Sequence, residues 1–236
     1  SGADFGAVIN KQTVPLNTAI VVSKNAVLEF TGYKNGARCY LAVYGGWKAG
    51  KWLNSYSTNL KAAAGGYNGR ALQKDDVLFF NKEQHLRKPA PSNAFSITNI
   101  LADIDVLYGS EKITCLTGAF YEHLTDDTKK IFSVAAFTIL PQSDRMGYRL
   151  QSDALTLNST AEILSSAVTR GTIQLLPSGQ LIILMADHQT TGGYPVIAHV
   201  ISSDVPALAQ KRPQETVQFQ IIRHAEAELR LMHQYK

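Results

Sequence analysis

Apolar and polar positions alternate with a period of two along most of the chain, in short runs. Ala19–Val22, Ala26–Phe30, Arg38–Tyr44, Val77–Phe80, Ile131–Leu140, Thr172–Leu176, Leu181–Ala186, Val196–Ser202 and Thr216–Ile222 are β-branched or aromatic-rich and bounded by Gly, Asn, Asp or Pro. Alternation sends successive side chains to opposite faces of a strand, and turn-formers at its ends set its length. Strands of this length and spacing predict barrels or sandwiches rather than βαβ units. Helical spacing is confined to three places. In the tail, Ala225, Leu229 and Met232 fall at i, i+4 and i+7 among charged residues, as on an amphipathic helix. Ser203 reads as the N-cap of a short helix over Asp204–Ala209, and Ala119–Leu124 is a third candidate. The pattern predicts an all-β fold with under about a quarter of its residues helical. A barrel spanning about Ile97 to Ile222 and a terminal helix complete it.

Turn-formers leading into a strand that ends in Phe recur at Asn25–Phe30, Asp75–Phe80 and Gln214–Phe219. Any β protein makes such turns, but two related barrels would each use one. Asn81–Asn93, rich in charge and Pro, has the composition of a linker between them. The expected organisation is a first barrel domain over 1–83, a linker over 84–96, and a second barrel domain with its helix over 97–236.

Composition narrows the class. Of 236 residues 45% are hydrophobic and the net charge is only +4, so the chain can bury a core and is not disordered. Leu181–Ala186, among the longest apolar stretches, is about a third of the roughly 18 residues a membrane helix needs. Cys39 and Cys115, the two cysteines, make neither a disulfide scaffold nor a four-thiolate zinc site. The densest basic run, Lys82–Lys88, is broken by Glu83 and followed by two prolines, unlike a nucleic-acid stripe interleaved with aromatics. A cytoplasmic protein is expected, binding neither nucleic acid nor membrane.

Several motifs are decoys by their own chemistry. Gly45–Lys51 fits the spacing of a phosphate loop, but Trp52 stands where a Mg²⁺-ligating hydroxyl is needed. His224-Ala-Glu226 lacks the cysteines of a zinc deaminase. Asp187, His188 and His199 have ligand chemistry, yet an acid beside a histidine at a strand end is more commonly a hydrogen-bonded pair, and no metal is expected. The densest polar stretch is Ala186–Pro195, with an acid, an amide, two hydroxyls and Gly192-Gly193 between two apolar strands. Such a loop suits a carboxylate, amide or phosphate; a hairpin whose Thr and Asp satisfy their own backbone is the alternative. Ser143–Leu150 adds Arg145 and Arg149 beside a glycine, forks that suit a carboxylate or phosphate, although surface ion pairs are their commoner use.

These residues carry a family resemblance. Asp187–Pro195, Gly171-Thr-Ile-Gln174, Val200–Asp204, Leu208–Gln210, Arg212-Pro213 and Ser143–Leu150 are similar to the allophanate hydrolase subunit 2 family. So, in order, are Gly2–Asp4, Ala37-Arg38, Tyr40–Val43, Gly45-Gly46, Ser55–Thr58 and Gly69–Leu72. Members of this family are mostly read as the C component of the ATP-dependent 5-oxoprolinase. It is related to the carboxyltransferase part of biotin-dependent urea carboxylase and includes the KipA antagonist of the kinase inhibitor KipI. The resemblance implies cyclophilin-like barrels, the first incomplete because the family carries a segment before Gly2-Ala-Asp4. It implies hydrolysis of 5-oxo-L-proline to L-glutamate, with a KipI-like B component and an A component of the 5-oxoprolinase as partners. ATP with magnesium would serve at the level of the complex, and this chain alone would be inactive. Asp187, Arg145 and Thr191 are the expected catalytic residues. Gln189, Thr190, Gly192, Gly193, Tyr194, Gln174 and Arg38 are expected to bind substrate. The alternatives are carboxyl transfer to a urea-like amide, with biotin on a separate protein, and a non-catalytic KipA-like regulator.

Overall fold

A computed structural model of the chain describes residues 1–81, 95–101, 112–158 and 163–234. The first part carries β1 (Gly2–Asp4), β2 (Ala7–Ile9), β3 (Gln12–Thr13), β4 (Thr18–Val22), β5 (Leu28–Phe30), β6 (Asn35–Cys39) and β7 (Phe95–Leu101). Among the described residues they pair as β1–β6, β3–β2–β5 and β4–β7, in three small sheets. Ala7, Ile9 and Val14 make a small buried cluster here.

The remaining strands are β8 (Ile113–Thr117), β9 (Phe137–Ile139), β10 (Gly147–Gln151), β11 (Ser166–Ala167), β12 (Thr172–Leu175), β13 (Leu181–Leu184), β14 (Thr191–Gly192), β15 (Val196–Val200), β16 (Thr216–Val217) and β17 (Phe219–Ile221). Eight of them form one sheet in the order β16-β9-β10-β13-β12-β15-β8-β17. The end members, β16 and β17, are two halves of one run of chain. Thr216–Val217 pairs antiparallel with β9, and Phe219–Ile221 pairs parallel with β8. Between them the Gln218 carbonyl accepts from the Ile113 N–H at 2.8 Å. The sheet therefore nearly closes on itself, removing the exposed edges that an open sheet carries.

Three helices among the described residues accompany the sheets: α1 (Asp126–Val134), α2 (Val205–Ala209) and α3 (His224–Gln234). The first starts where the Thr125 side chain accepts from the Thr128 N–H, and it carries Asp126 and Asp127 in its first turn, both stabilising at a helix N-terminus. It delivers Phe132 into the barrel core. There Phe132 stacks on Phe219 at 4.8 Å between centroids, and Phe137 lies 5.2 Å from Phe219. All three are fully buried.

The expected all-β class and terminal helix hold, with differences in detail. Ile131–Leu140 is not one strand: Ile131–Val134 continues α1, and only Phe137–Ile139 is extended. The apolar spacing fits both structures, and the Thr125 cap together with packing of Phe132 selects the helix. Arg38–Tyr44 shifts to β6, and Val77–Phe80 reduces to a single bridge from Phe80 to Trp47, whose rings stack at 5.4 Å. Asp204, not Ser203, stands at the N-cap position of α2. Its carboxylate accepts no bond from the helix but takes the Thr114 N–H at 2.8 Å and the Ser203 hydroxyl at 3.1 Å. The Ala119–Leu124 candidate is a 3₁₀ turn over Tyr121–His123. Among the described residues the barrel strands begin at Ile113, and Phe95–Leu101 pairs with β4 of the first part. The expected linker lies outside the described residues, except for its last two positions, which open β7.

The two parts are joined through Gln210. Its Oε1 accepts from the Ala37 and Arg38 N–H groups at 2.8 and 2.9 Å, and its Nε2 donates to the Arg38 carbonyl at 3.0 Å. Arg38 also donates from Nη1 to the Tyr148 hydroxyl at 2.7 Å and to the Ala209 carbonyl. Gly36, at φ +75°, permits this approach, since a Cβ there would lie 3.0 Å from Gln210 Oε1 and 2.7 Å from Ala3 Cβ.

Phe219→Ala is expected to cost about 3–5 kcal/mol of stability, whereas Gln220→Ala on the exposed side of the same strand stays within about 0.5 kcal/mol. Denaturant unfolding of the two variants checks this. Gln210→Ala should raise hydrogen exchange at the Ala37 and Arg38 amides while leaving β12 and β13 protected.

Candidate functional site

Register across three neighbouring strands fixes one row of side chains. Arg149 of β10 lies opposite Ile182 of β13, and Ile182 lies opposite Gln174 of β12. Their neighbours Tyr148, Leu150, Leu181, Ile183, Ile173 and Leu175 all belong to the barrel core. Because side chains alternate across a strand, the Arg149–Ile182–Gln174 row lies on the outer face.

The loop from Asp187 to Pro195 folds back over that face. Thr191–Gly192 pairs with Ser166–Ala167, and the Thr190 carbonyl accepts from the Val168 N–H at 3.1 Å. The Pro195 carbonyl accepts from the Leu175 N–H at 2.9 Å, and the Tyr194 carbonyl from Gln174 Nε2 at 3.3 Å. Gly192 makes the crossing possible, because a Cβ there would stand 2.6 Å from Gln174 Nε2. Covered in this way, Gln174 is 0% exposed, yet its Oε1 has no hydrogen-bond partner among the described residues. A buried amide oxygen left without a donor costs roughly 1–3 kcal/mol, a cost that an ordered water or a ligand N–H would remove. Between the loop and the strands lies a cleft of about 590 Å³, lined among others by Gln142, Arg149, Gln174, Ile182, Gln189 and Tyr194. Such a volume suits a small ligand.

Arg145 and Asp187 meet at the start of the loop. Arg145 Nε donates to Asp187 Oδ2 at 2.7 Å and Nη2 to Oδ1 at 3.0 Å, a two-point fork, and the Asp187 N–H donates to the Arg145 carbonyl at 2.8 Å. The Arg145 guanidinium, reinforced by the charge of Lys61, holds the Asp187 carboxyl below the usual carboxylate range. A carboxylate so stabilised is a weak proton acceptor at neutral pH, and the geometry makes the pair an anchor for the loop. Gln189, Tyr194 and Gln174 thus gather at the cleft. Thr191 and Gly192 form the β14 bridge above it, and Thr190 holds Val168. A Cβ on Gly193 would face Ser165 Oγ at 3.3 Å. Arg38 is not brought there: it binds Tyr148, whose side chain belongs to the core, on the opposite face of β10 from Arg149. Ile182 and Gln142 carry no chemical signal in the sequence; strand register places Ile182, and the turn after β9 brings in Gln142.

The decoys resolve structurally. Gly50 bridges to Gly66, no helix follows within the described residues before Tyr121, and Lys51 Nζ sits 5.5 Å over the Tyr56 ring, so the stretch is no phosphate cradle. On α3, His224 pairs with Glu228 at 3.5 Å and Glu226 with Arg230 at 2.8 Å. No helix among the described residues is long and apolar enough to cross a membrane.

Residues 1–221 match the family described as carboxyltransferase domain, subdomains A and B. The chain belongs to this carboxyltransferase-domain family. It is 35% identical over 227 residues to the C component of the 5-oxoprolinase of Haemophilus influenzae, spanning 96% of this chain and 70% of that protein. It is 36% identical over 177 residues to the Escherichia coli protein of the same name, covering 75% of this chain and 54% of the relative. Among solved structures, the urea amidolyase of K. lactis superposes with a TM-score of 0.81 at 23% identity, over 97% of this chain and 14% of that one. That likeness shows the shared fold. The resemblance read from Asp187–Pro195 and Ser143–Leu150 is borne out.

In an NMR titration the Asp187 carboxyl is expected to titrate below the ordinary carboxylate range in the native chain, and close to it in Arg145→Ala. Because its folded value is lowered, the stability it adds is present above the unfolded carboxylate value, about 3.9, and is lost as pH falls through the lowered one. Both partners are half exposed, which limits the pair to about 1 kcal/mol or less. Gly192→Ala should destabilise by roughly 1–3 kcal/mol, read as a lower denaturation midpoint, because its Cβ collides with Gln174.

Proposed function

We propose that this chain is the C-type component of an ATP-dependent 5-oxoprolinase, opening 5-oxo-L-proline to L-glutamate with an A component and a KipI-like B component. The observation that carries the reading is the buried Gln174 amide, its acceptor unpartnered among the described residues, at the wall of a cleft sized for a small molecule. An acceptor held without a donor suits a substrate N–H, which a lactam presents beside its carbonyl. Similarity to the C component of a 5-oxoprolinase over 96% of the chain supports the same substrate class.

A lactam is a stable amide, and ATP bound in the complex would supply phosphoryl activation of its oxygen. Gly45–Lys51 is no phosphate cradle, and ATP would be held at the level of the complex. The chain's own contribution is binding and orientation. Gln174 fixes the amide edge, the Gln189 and Tyr194 loop roofs the cleft and limits water, and the Arg145–Asp187 fork holds the loop's first residue in place. Thr191 keeps the β14 bridge in register. Carboxyl transfer to a urea-like amide, with biotin carried on another protein, is the second reading, favoured by the superposition on urea amidolyase.

The test is ATP hydrolysis by this polypeptide reconstituted with the A and B components. Stimulation by 5-oxoproline, with no phosphate release by this chain alone, is the expected result. Stimulation by urea but not by 5-oxoproline would transfer the assignment to the second reading. Arg145→Ala should lower 5-oxoproline-dependent turnover with the fold intact; unchanged turnover would remove the loop from the site.

A further inference from the structure

Among the described residues, the cleft contains one cationic side chain whose charge is not already used. Arg145 is committed to Asp187 through both arms of its fork. Lys61 Nζ lies 3.8 Å from Asp144 Oδ2. Asp144 itself lines the cleft, but its Oδ1 already accepts from the Met146 and Gly147 N–H groups at 2.8 and 3.3 Å. Arg149 is different. Its main chain is tied to the Ser143 hydroxyl at 3.0 Å, whereas its exposed guanidinium has no hydrogen-bond or ion-pair partner among the described residues.

Arg149 and Gln174 share one face of the sheet, separated by Ile182 on the strand between. Two strand spacings put their backbones roughly 10 Å apart, a gap that an arginine side chain shortens to the length of a small molecule. Gly147, two residues before Arg149 on β10, leaves room for the Ile182 side chain, since a Cβ there would lie 2.8 Å from Ile182 Cδ1. The cleft thus presents an unpaired guanidinium fork at one side and an apolar floor, with the unpaired Gln174 amide acceptor buried beneath the loop at the other.

We infer that Arg149 is the specificity residue of this cleft: it takes the carboxylate of a small cyclic amide whose ring N–H reaches Gln174 Oε1 as the covering Gln189–Tyr194 segment yields. A planar fork binds a carboxylate through two parallel hydrogen bonds, and a five-membered lactam lies flat against Ile182. Urea carries no carboxylate and gains nothing from Arg149. The residue therefore separates an amino-acid lactam from a neutral amide on the same scaffold. The choice of 5-oxo-L-proline as probe rests on the function proposed above, but the pairing is tested by binding and not by turnover.

The measurement is calorimetric titration of the chain with 5-oxo-L-proline, with 2-pyrrolidinone (the same ring without a carboxylate) and with 1-methyl-5-oxoproline (the same acid without a ring N–H). Saturable binding of 5-oxo-L-proline is expected. It should weaken by about tenfold or more in Arg149→Ala and recover in part in Arg149→Lys, which restores charge without the fork. 2-Pyrrolidinone should bind weakly and equally to native chain and Arg149→Ala, and the methylated acid should bind more weakly than the parent. Circular dichroism of each variant controls for folding, and Arg149, being exposed, tolerates substitution. Absence of saturable 5-oxo-L-proline binding to the native chain overturns the inference. So does equal binding of 5-oxo-L-proline by native chain and Arg149→Ala, or equal affinity for the acid and 2-pyrrolidinone. Arg149-dependent binding in the chain, combined with no 5-oxoproline turnover in the reconstituted complex, would refute the proposed activity and uphold the cleft as a lactam-acid site.

Discussion

The run Thr216–Ile221 bonds to two strands that an open sheet would hold at opposite ends. Antiparallel to β9 on one side and parallel to β8 on the other, it bends eight short strands into a nearly closed barrel. None of these strands exceeds five residues, and isolated strands of that length have no independent stability. Closure supplies the missing partners. It also presses Phe219 against Phe132 and Phe137 in the core, so hydrogen bonding and apolar burial are satisfied by the same few residues.

With the barrel closed, its outer face becomes a rigid platform. The Asp187–Pro195 loop does not project from the barrel end; it lies down over β12 and hides Gln174. Three features keep it there: the Arg145–Asp187 fork at its start, the two-residue pairing with Ser166–Ala167, and the missing side chain of Gly192. The cost is a buried amide oxygen with no protein donor among the described residues. Polar burial of that kind is met by an ordered water or by a ligand.

The N-terminal part depends on the barrel in another way. Its three small sheets bury only a minor cluster, and Tyr44, Leu53, Leu60 and Phe79 stand largely exposed. Its attachment is polar: Gln210 reads the main chain of Ala37 and Arg38, and Arg38 reaches the Tyr148 hydroxyl. Arg38 thereby serves the junction, although its place among the family-like residues suggested the ligand.

The sequence by itself determined the class of fold, the terminal helix and the loop where the polar chemistry collects. Strand alternation, an i, i+4, i+7 spacing and an acid–amide–hydroxyl–glycine run are local signals, and local backbone preferences express them directly. It also linked Arg145 to Asp187, through the family-like motifs that contain them. It did not determine that Ile131–Val134 is helical, because apolar spacing there fits either period and only the Thr125 cap and the Phe132 pocket choose. Nor did it determine that Thr216–Ile222 splits at Gln218 to close the barrel, because each half pairs with a strand remote in sequence. The roles of Arg149 and Arg38 were decided last. Both are arginines in family-like motifs, and only the register of β10 shows Arg149 on the cleft face while Arg38 meets Tyr148 from the other. Which face a side chain occupies reverses with a one-residue shift in register, and register is a property of the assembled sheet.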